Sequence, residues 1–178
     1  FLWSKVPEIN NQLDQIEKYM RHNIHSRNST LSKTVGELVG SGGKRLRPAM
    51  VLVSSKYGKS DDKNIINAAA AVEILHTATL IHDDIIDRSK MRRGRSTVTD
   101  KFGTDMAVYT GDFLFAKAVL MLSQGNSYEG LDKVAMAVKS ICEGEVDQFT
   151  DRFNIDVTVF SYLKRIYRKT ALLFGASC

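Results

Sequence analysis

Residues 73–97 read EILHTATLIHDDIIDRSKMRRGRST, an apolar helical run followed first by acids and then by bases. In an α-helix, residues four apart lie on one face, so Asp83 and Asp87 share a face and Asp84 lies on its flank. Carboxylates this close repel one another unless a cation lies between them, and their oxygens suit Mg²⁺, which also takes phosphate oxygens. The stretch therefore predicts a Mg²⁺ site that binds a diphosphate. The bases that follow the acids are Arg92, Arg93 and Arg95.

A solvated polar helix end is the alternative interpretation of these acids. Gly94 follows them and no apolar period continues, which places them near a helix C-terminus. Acids at that end oppose the helix dipole, typically by a few tenths of a kcal/mol each. An acidic cluster at the unfavourable end of the most apolar helix in the chain favours a functional site.

Size and composition indicate one globular domain. The chain has 178 residues, of which 43% are hydrophobic and 25% charged, enough for a sizeable core. The net charge of +5 is concentrated in separate clusters, one of them beside the acids. Such clustering favours a small polyanion over nucleic acid or a membrane surface. No apolar run reaches the roughly 20 residues that span a bilayer.

The cysteines and the two ends of the chain bear on location and completeness. Cys142 and Cys178 make no disulfide framework, which favours a reducing, cytoplasmic location. The first residue is Phe1 and not Met, and the last residues, KTALLFGASC, carry no helix stop. We therefore expect that the sequence is truncated at both ends.

Helical periodicity runs through nearly the whole chain, and no stretch shows convincing strand alternation. The sequence therefore predicts an all-α, single-domain bundle around a central cavity. We expect seven helices. The first begins at Pro7, the second contains Leu31 to Leu38, and the third runs from Pro48 to Tyr57 before Gly58. The fourth begins at Asp61 or Asp62, the fifth runs from Thr104 or Asp105 to Gly125-Asn126, the sixth spans Tyr128 to Phe149, and the last begins at Asp156.

A glycine-rich turn at residues 40–48 carries a second group of cations. Lys44 and Arg47 are three residues apart, so a single helical turn directs both of them one way. Cations beside a helix N-terminus are electrostatically misplaced unless an anion joins them. The spacing is not that of a Walker A loop, and solvated cations on a glycine turn are the alternative.

Two further positions are weaker candidates. His76 lies seven residues before Asp83, on nearly the same face and about 10 Å away. A lone histidine in an apolar helix is usually a core residue, but this alignment makes a functional role equally plausible. Lys169 and Thr170 interrupt the apolar pattern of the last helix and place a cation and a hydroxyl at one level.

Taken in order, these motifs resemble those of the trans-isoprenyl diphosphate synthases. GGKRLRP at residues 42–48 resembles the family's GGKRxRP motif, and LIHDDIIDRSKMRRG at residues 80–94 resembles its first aspartate-rich motif. GDFL at residues 111–114 and KTA at residues 169–171 follow in the expected order. The resemblance runs from about Thr34 to Cys178 and implies the isoprenoid synthase fold.

The resemblance implies a Mg²⁺-dependent condensation of isopentenyl diphosphate with an allylic diphosphate. It makes Asp83 and Asp87 Mg²⁺ ligands, with Asp84 nearby, and Gln148 a residue of the cavity wall. It also implies a homodimer, or a heteromer with a small subunit. The residues implied for the allylic diphosphate are Arg92, Lys169 and Thr170. Those implied for isopentenyl diphosphate are Lys44, Arg47, His76 and Arg93.

One departure from the family concerns its second aspartate-rich motif, which supplies further Mg²⁺ ligands downstream of the Lys-Thr pair. Residues 143–151 lack the DDxxD spacing. We therefore expect residues 1–178 to be the N-terminal portion of one polyprenyl synthase domain, with doubtful turnover by itself. Ala78 and Thr79, a turn before the first aspartate, are small, which by the same resemblance implies a medium-to-long product for quinone side chains.

Three alternatives remain. A class I terpene cyclase shares the aspartate motif but has no second diphosphate for Lys44 and Arg47 to bind. A non-catalytic subunit of a heteromeric synthase is expected to lack the aspartates. A basic nucleic-acid-binding domain is least favoured, because no helix has a continuous basic face with interleaved aromatics.

Overall fold

The alanine-rich helix that ends in the aspartates lies at the centre of the molecule. The computed structural model describes residues 3–40, 42–59, 61–124 and 128–178, without the side chains of residues 128 and 129. The α-helices are α1 (Pro7–Asn23), α2 (Ser29–Val39), α3 (Leu46–Ser55), α4 (Asp62–Ile86), α5 (Val98–Phe102), α6 (Thr104–Gln124), α7 (Tyr128–Thr150), α8 (Val159–Ile166) and α9 (Leu172–Ala176). A hairpin of β1 (Met91–Arg92) and β2 (Arg95–Ser96) follows α4, and a π-helical turn, Tyr167–Ala171, joins α8 to α9. The predicted all-α bundle is confirmed.

Small side chains allow α4 to pack closely against α6, its most extensive partner. Ala69, Ala70 and Ala71 are fully buried in the middle of α4, and Ala107 and Ala118 are fully buried on α6. Helices α1 and α3 also pack against α4. This packing fixes the axis of α4, and with it the position of the aspartates at its C-terminal end.

Helices α1 and α4 start as the sequence predicts, whereas α3 begins at Leu46, two residues before the predicted Pro48. Pro7 is the first residue of α1, and the Asp61 carboxylate accepts the Asn64 N–H at the start of α4, at 2.7 Å. The Asp156 cap is wrong, because the hydroxyl of Thr158 accepts the Ser161 N–H and begins α8 two residues later.

The ends of α3 and α7 differ little from prediction. Helix α3 ends at Ser55 and not at Tyr57, because the Lys56 N–H turns to the carbonyl of Val53. Helix α7 ends one residue beyond the predicted Phe149. The predicted end of α6 at Gly125-Asn126 lies outside the described residues.

The β-hairpin contradicts the expectation of no strands. Arg92 pairs with Arg95, and between them Arg93 and Gly94 have φ values of 51° and 76°. Positive φ at both central residues is what a type I′ hairpin turn requires. Gly94 is therefore the corner of a hairpin and not a helix stop, and the hairpin fixes the two arginines relative to α4.

The π-helical turn lies where the sequence interrupts the last apolar pattern. Residues Tyr167–Ala171 widen the helix there and carry Lys169 and Thr170. Such single π turns are rare and occur frequently at functional sites. The turn packs against α7, which brings these two residues to the acidic side chains of that helix.

Two helices are longer and more apolar than the sequence analysis allows. By length and composition, Asp62–Ile86 and Thr104–Gln124 could each cross a membrane, with mean hydropathy of 1.3 in their most apolar windows. These are α4 and α6, which pack against each other, and 56% and 39% of those windows are buried inside the bundle. A core helix of a soluble protein passes the same test, so this is weak evidence for a membrane span.

Candidate active site

The last turn of α4 carries Asp83 and Asp87 on one side. The Asp87 N–H donates to the Asp83 carbonyl at 2.8 Å, so the helix is intact up to its C-cap at Asp87. The side chain of Asp83 is half-buried and that of Asp87 is exposed. The structure thus places both carboxylates as the helical spacing predicts.

A cation and an acid from other elements join Asp83. Lys169, on the π-helical turn, donates to Glu145 of α7 at 2.7 Å. Burial raises the pKa of Asp83, and Glu145 and Asp87 raise it further, while Lys169 and Arg92 lower it. Asp83 therefore lies in a field of alternating charge built from α4, α7, the hairpin and the π-helical turn.

This arrangement fits a divalent cation, because Asp83 has two carboxylate neighbours whose repulsion a cation would relieve. Asp83 and Asp87 are the residues of α4 that would hold it. Within the described ranges, however, no three His, Cys, Asp or Glu side chains surround one point as metal ligands do. The Mg²⁺ site of Asp83, Asp84 and Asp87 remains a prediction.

Asp84 has a different environment from the other two aspartates. Its side chain is buried, with 6% of the residue exposed, and its Oδ1 accepts a hydrogen bond from Arg92 Nε at 2.7 Å. A buried carboxylate needs such a charged partner, and removal of either group leaves the other uncompensated. The contact ties β1 of the hairpin to α4 and positions Arg92.

A cationic cavity of about 530 Å³, the front cavity, lies between the glycine-rich turn and α4. Its cationic and glycine wall contains Gly42, Gly43, Lys44, Arg47, His76 and Arg93. Burial, together with the positive charges of Arg47, Arg93 and Arg92, lowers the pKa of His76 to about 3. His76 is therefore neutral near pH 7 and faces a group of permanent cations.

Arg47 lines the front cavity and forms no ion pair with the carboxylates of the described residues. Its guanidinium lies 4.4 Å from the ring centroid of Phe174, a cation–π contact. Burial lowers the pKa of Arg47, although Glu73 opposes the shift. Among the described residues, its buried Nε has no hydrogen-bond partner. A half-buried cation in this state is suited to receive an anion.

Arg93 reaches the same cavity from the hairpin. Its Nη1 donates to the Gly42 carbonyl at 2.9 Å. A Cβ at Gly43 would lie 2.8 Å from that nitrogen, so only glycine lets the arginine approach this closely. Lys44, next in the turn, is exposed, and its carbonyl accepts the indole N–H of Trp3 at 2.7 Å.

Arg45 is a site residue that the sequence analysis does not identify. Its backbone is left-handed, with φ of 49°, and its guanidinium donates to Glu73 at 2.9 Å and to the Val39 carbonyl at 3.0 Å. Glu73 lies three residues before His76 on α4, so the pair ties the glycine-rich turn to the helix. An acid in the alanine-rich run of α4 is the signal that could have revealed the pair.

Other predicted positions are near these groups without a contact that assigns a role. Thr170 is exposed beside Lys169, and Gln148 is half-buried one turn after Glu145. Ala78 is buried in the core at 1% exposure, and the Thr79 hydroxyl donates to the His76 carbonyl. Neither Ala78 nor Thr79 lines the front cavity, so their role in setting chain length remains a prediction.

The GDFL segment joins α6 to the aspartate helix. Gly111 faces the imidazole ring of His82, so closely that a Cβ at this position would overlap the ring. The neighbouring Asp112 lies 3.3 Å from His82 Nε2. Since His82 immediately precedes Asp83, this contact packs the last turn of α4 against α6.

The chain is similar to known proteins over most of its length. A family model described as Polyprenyl synthetase matches residues 28–178. The chain belongs to this family. Heptaprenyl diphosphate synthase component 2 of Geobacillus stearothermophilus is 35% identical over 170 residues, which cover 96% of this chain and 53% of that relative.

Two crystal structures of the polyprenyl synthetase family share the fold. Geranylgeranyl pyrophosphate synthase from Lactobacillus brevis aligns with a TM-score of 0.94 and 34% identity, over 99% of this chain and 56% of its own. Polyprenyl synthase from Caulobacter crescentus, complexed with calcium and isoprenyl diphosphate, aligns with a TM-score of 0.91 and 34% identity, over 97% and 52%. The predicted isoprenoid synthase fold is thus confirmed, and the chain spans about half the length of these proteins.

Proposed function

We propose that this polyprenyl synthetase chain forms the diphosphate-binding half of a Mg²⁺-dependent prenyltransferase that condenses isopentenyl diphosphate with an allylic diphosphate. One observation carries the proposal: two separate groups of charged side chains lie along α4, and we assign one diphosphate to each. The front cavity surrounds His76, while Asp83, seven residues further along, lies with Lys169 and Glu145. Seven residues correspond to about 10 Å along a helix, a separation that suits two substrates side by side.

The front cavity is the proposed site of isopentenyl diphosphate. Lys44, Arg47 and Arg93 bind its diphosphate as permanent cations. His76 stays neutral and supplies a hydrogen bond without a further charge. The isopentenyl double bond is thereby directed along α4 toward the second group.

The allylic diphosphate is proposed to lie at the last turn of α4. Arg92, Lys169 and Thr170 bind it, and Asp83 and Asp87 hold Mg²⁺, with Asp84 fixing Arg92. Bound Mg²⁺ would neutralise the negative charge that develops on the leaving diphosphate. The C–O bond to that diphosphate breaks, the isopentenyl double bond attacks the allylic carbon, and loss of a proton gives a chain longer by one isoprene unit.

The product is proposed to be a medium-to-long trans-polyprenyl diphosphate of the kind used in quinone side chains. The small Ala78 and Thr79 support this, as does the heptaprenyl product in the name of the Geobacillus relative. We predict that Ala78→Phe shortens the product. Because Ala78 is 1% exposed, Phe must displace neighbours there, so the half-buried Thr79→Phe serves as the second variant. Chromatography showing unchanged product length in both would contradict the prediction.

The assembly is proposed to be a homodimer in the cytoplasm, or a heteromer with a small subunit. Helices α6 and α7 expose large apolar side chains, among them Leu120, Met136 and Phe149, which suits a helical interface. The word "component" in the name of the Geobacillus relative supports the heteromer. The free cysteines Cys142 and Cys178 support a reducing location. Light scattering after size-exclusion chromatography would distinguish the two assemblies.

Incubation with labelled isopentenyl diphosphate, farnesyl diphosphate and Mg²⁺ tests the proposal. Incorporation of label into a longer prenyl chain supports it, whereas release of a cyclic hydrocarbon identifies a terpene cyclase. Because the chain spans about half the length of its relatives, calorimetric binding of isopentenyl diphosphate is the second measurement. We expect binding that Arg47→Gln weakens and Lys169→Ala leaves unchanged. If there is no incorporation and isopentenyl diphosphate does not bind, the proposal is overturned.

A further inference from the structure

Trp3 does not line the front cavity, but it is hydrogen-bonded to the turn that forms one wall of the cavity. It lies before α1, where its carbonyl accepts the Val6 N–H at 2.9 Å. Its half-buried ring packs against the hydrophobic core. The indole N–H donates to the Lys44 carbonyl at 2.7 Å, across 41 residues of sequence. The core thus holds a hydrogen-bond donor against the backbone of a residue assigned to isopentenyl diphosphate.

The backbone of the glycine-rich turn gains from such a donor. Gly42 and Arg45 are left-handed, with φ of 74° and 49°. Glycine adopts this conformation freely, whereas arginine adopts it at a cost. The Lys44 carbonyl belongs to the peptide bond that leads into Arg45, so a donor that holds this carbonyl restrains rotation about the φ bond of Arg45. One hydrogen bond and one strained residue have free energies of similar size, so a single donor is enough to favour this conformation.

The turn is tied to the rest of the molecule at three successive places. Arg93 of the hairpin donates to the Gly42 carbonyl at 2.9 Å, and Arg45 donates to Glu73 of α4 at 2.9 Å. Trp3 supplies the corresponding tie for Lys44. Since the side chain of Lys44 is exposed, little packing directs it, and its direction depends on how its backbone is held.

We propose that Trp3 is a positioning residue for the front cavity, because its indole N–H holds the Lys44 carbonyl and so keeps the turn in the form that presents Lys44 to a diphosphate. Trp3 acts only through the backbone of Lys44. A turn that is already ordered leaves less ordering cost for the ligand. The effect on diphosphate binding rests on the proposed function, whereas the restraint of the turn does not.

Cleavage of the Lys44–Arg45 peptide bond by a lysine-specific protease measures the restraint without any ligand. The protease must take up the Lys44 carbonyl, which Trp3 holds in the native state. Trp3→Phe keeps an aromatic ring and removes the N–H. We expect it to speed this cleavage about fivefold, as for the loss of one hydrogen bond, because cleavage follows the population of the open form.

Cleavage after Lys90 in the same digest is the matched control. Lys90 is also exposed, and its carbonyl accepts the Thr97 N–H at 3.0 Å, a donor that Trp3→Phe leaves in place. Mass spectrometry of the digest should therefore show an unchanged rate after Lys90. An unchanged rate after Lys44 would overturn the proposal. Equal acceleration at both lysines would also overturn it, because Trp3 would then stabilise the fold as a whole.

Calorimetric binding of isopentenyl diphosphate connects the restraint to the front cavity. We expect Trp3→Phe to bind about fivefold more weakly, a change of about 1 kcal/mol. Tyr57→Phe alters an aromatic side chain that is 92% exposed and outside the front cavity, and it should bind as the wild type does. Wild-type affinity in Trp3→Phe would overturn the role in binding. If the wild type itself does not bind, the proposed function fails, while faster cleavage after Lys44 still supports the restraint.

The fluorescence of the wild-type protein gives a measurement that needs no variant. Trp3 is the one tryptophan of the chain, so the indole emission reports on this residue alone. We expect isopentenyl diphosphate to change the emission with the dissociation constant that calorimetry gives. Constant emission during a titration that calorimetry shows to saturate would overturn the proposal, even if Trp3→Phe misfolds.

Discussion

Arg45 and Glu73 form the ion pair on which the geometry of the front cavity depends. Their side chains are 12% and 9% exposed, so the pair is largely removed from water. We predict that Arg45→Gln lowers the free energy of unfolding by about 3 kcal/mol, because Glu73 is left buried and uncompensated. Arg21→Gln removes an exposed pair with Glu17 and should cost less than about 1 kcal/mol. Urea denaturation measures both.

A double-variant cycle decides whether Arg45 and Glu73 act as a pair. Arg45→Gln with Glu73→Gln should cost less than the sum of the two single variants, since neither charge is then left alone. Additive costs would contradict a direct interaction. The pair also shows what sequence patterns miss, because a left-handed arginine and its partner 28 residues away share no periodicity.

His76 gives the protein a pH dependence whose sign follows from its environment. Its pKa is lowered from 6.5 to about 3, first by burial and then by Arg47, Arg93 and Arg92. Below pH 6.5 the histidine binds a proton in the unfolded chain but stays neutral in the folded protein. Neutral His76 therefore contributes fully to stability above pH 6.5, and its contribution declines as the pH falls toward 3. We predict that His76→Gln reduces the loss of stability between pH 6.5 and pH 4. Parallel urea midpoints for both proteins over this range would contradict the prediction.

At the scale of elements, the hairpin docks on the glycine-rich turn through one close contact. Arg93 Nη1 lies against Gly43, where an added Cβ would come within 2.8 Å. We predict that Gly43→Ala displaces Arg93 and weakens diphosphate binding in the front cavity about tenfold, as expected for a loss of about 1.4 kcal/mol. Calorimetry with inorganic diphosphate measures the effect.

Gly36→Ala is the matched control for Gly43→Ala. Gly36 lies inside α2, and nothing lies within 4 Å of the added Cβ. Alanine there should raise stability by about 0.5–1 kcal/mol and leave diphosphate affinity unchanged. Equal affinity losses in both variants would show that the Arg93 contact is not the cause.

The sequence predicts the long elements well and the short ones poorly, for physical reasons. Helices α1 and α7 carry several turns of one apolar face, and α4 is apolar nearly all round its middle turns, so each pattern is long enough to identify a helix. The hairpin has two residues in each strand, too few to alternate, and its turn depends on a positive φ at Arg93 that no composition rule anticipates. The π-helical turn appears in the sequence only as an interrupted pattern.

At the scale of the whole molecule, the site joins residues far apart in sequence, and this limits what spacing can reveal. Asp83 and Asp87 share a helix, so their alignment follows from the helical repeat alone. Lys169 reaches Asp83 because the π-helical turn packs on α7, and Glu145, which belongs to no motif in the sequence, joins the same group. Asp84 belongs to the same motif but accepts a hydrogen bond from Arg92. Only the tertiary structure distinguishes it from Asp83 and Asp87.

The convergence of charges around Asp83 leads to a prediction for the whole fold. Mg²⁺ and diphosphate added together should raise the thermal midpoint, because a ligand at 100 times its dissociation constant stabilises the native state by about 2.7 kcal/mol. Either ligand alone should raise the thermal midpoint less. Mg²⁺ reduces only the repulsion between the carboxylates of Asp83 and Asp87, and diphosphate reduces only the repulsion between Lys169 and Arg92. Asp83→Asn should remove the synergy, and Asp14→Asn, an exposed acid of α1, should keep it. If both variants respond as the wild type does, the carboxylates of α4 do not bind the ion, and the diphosphate is held by the cations alone.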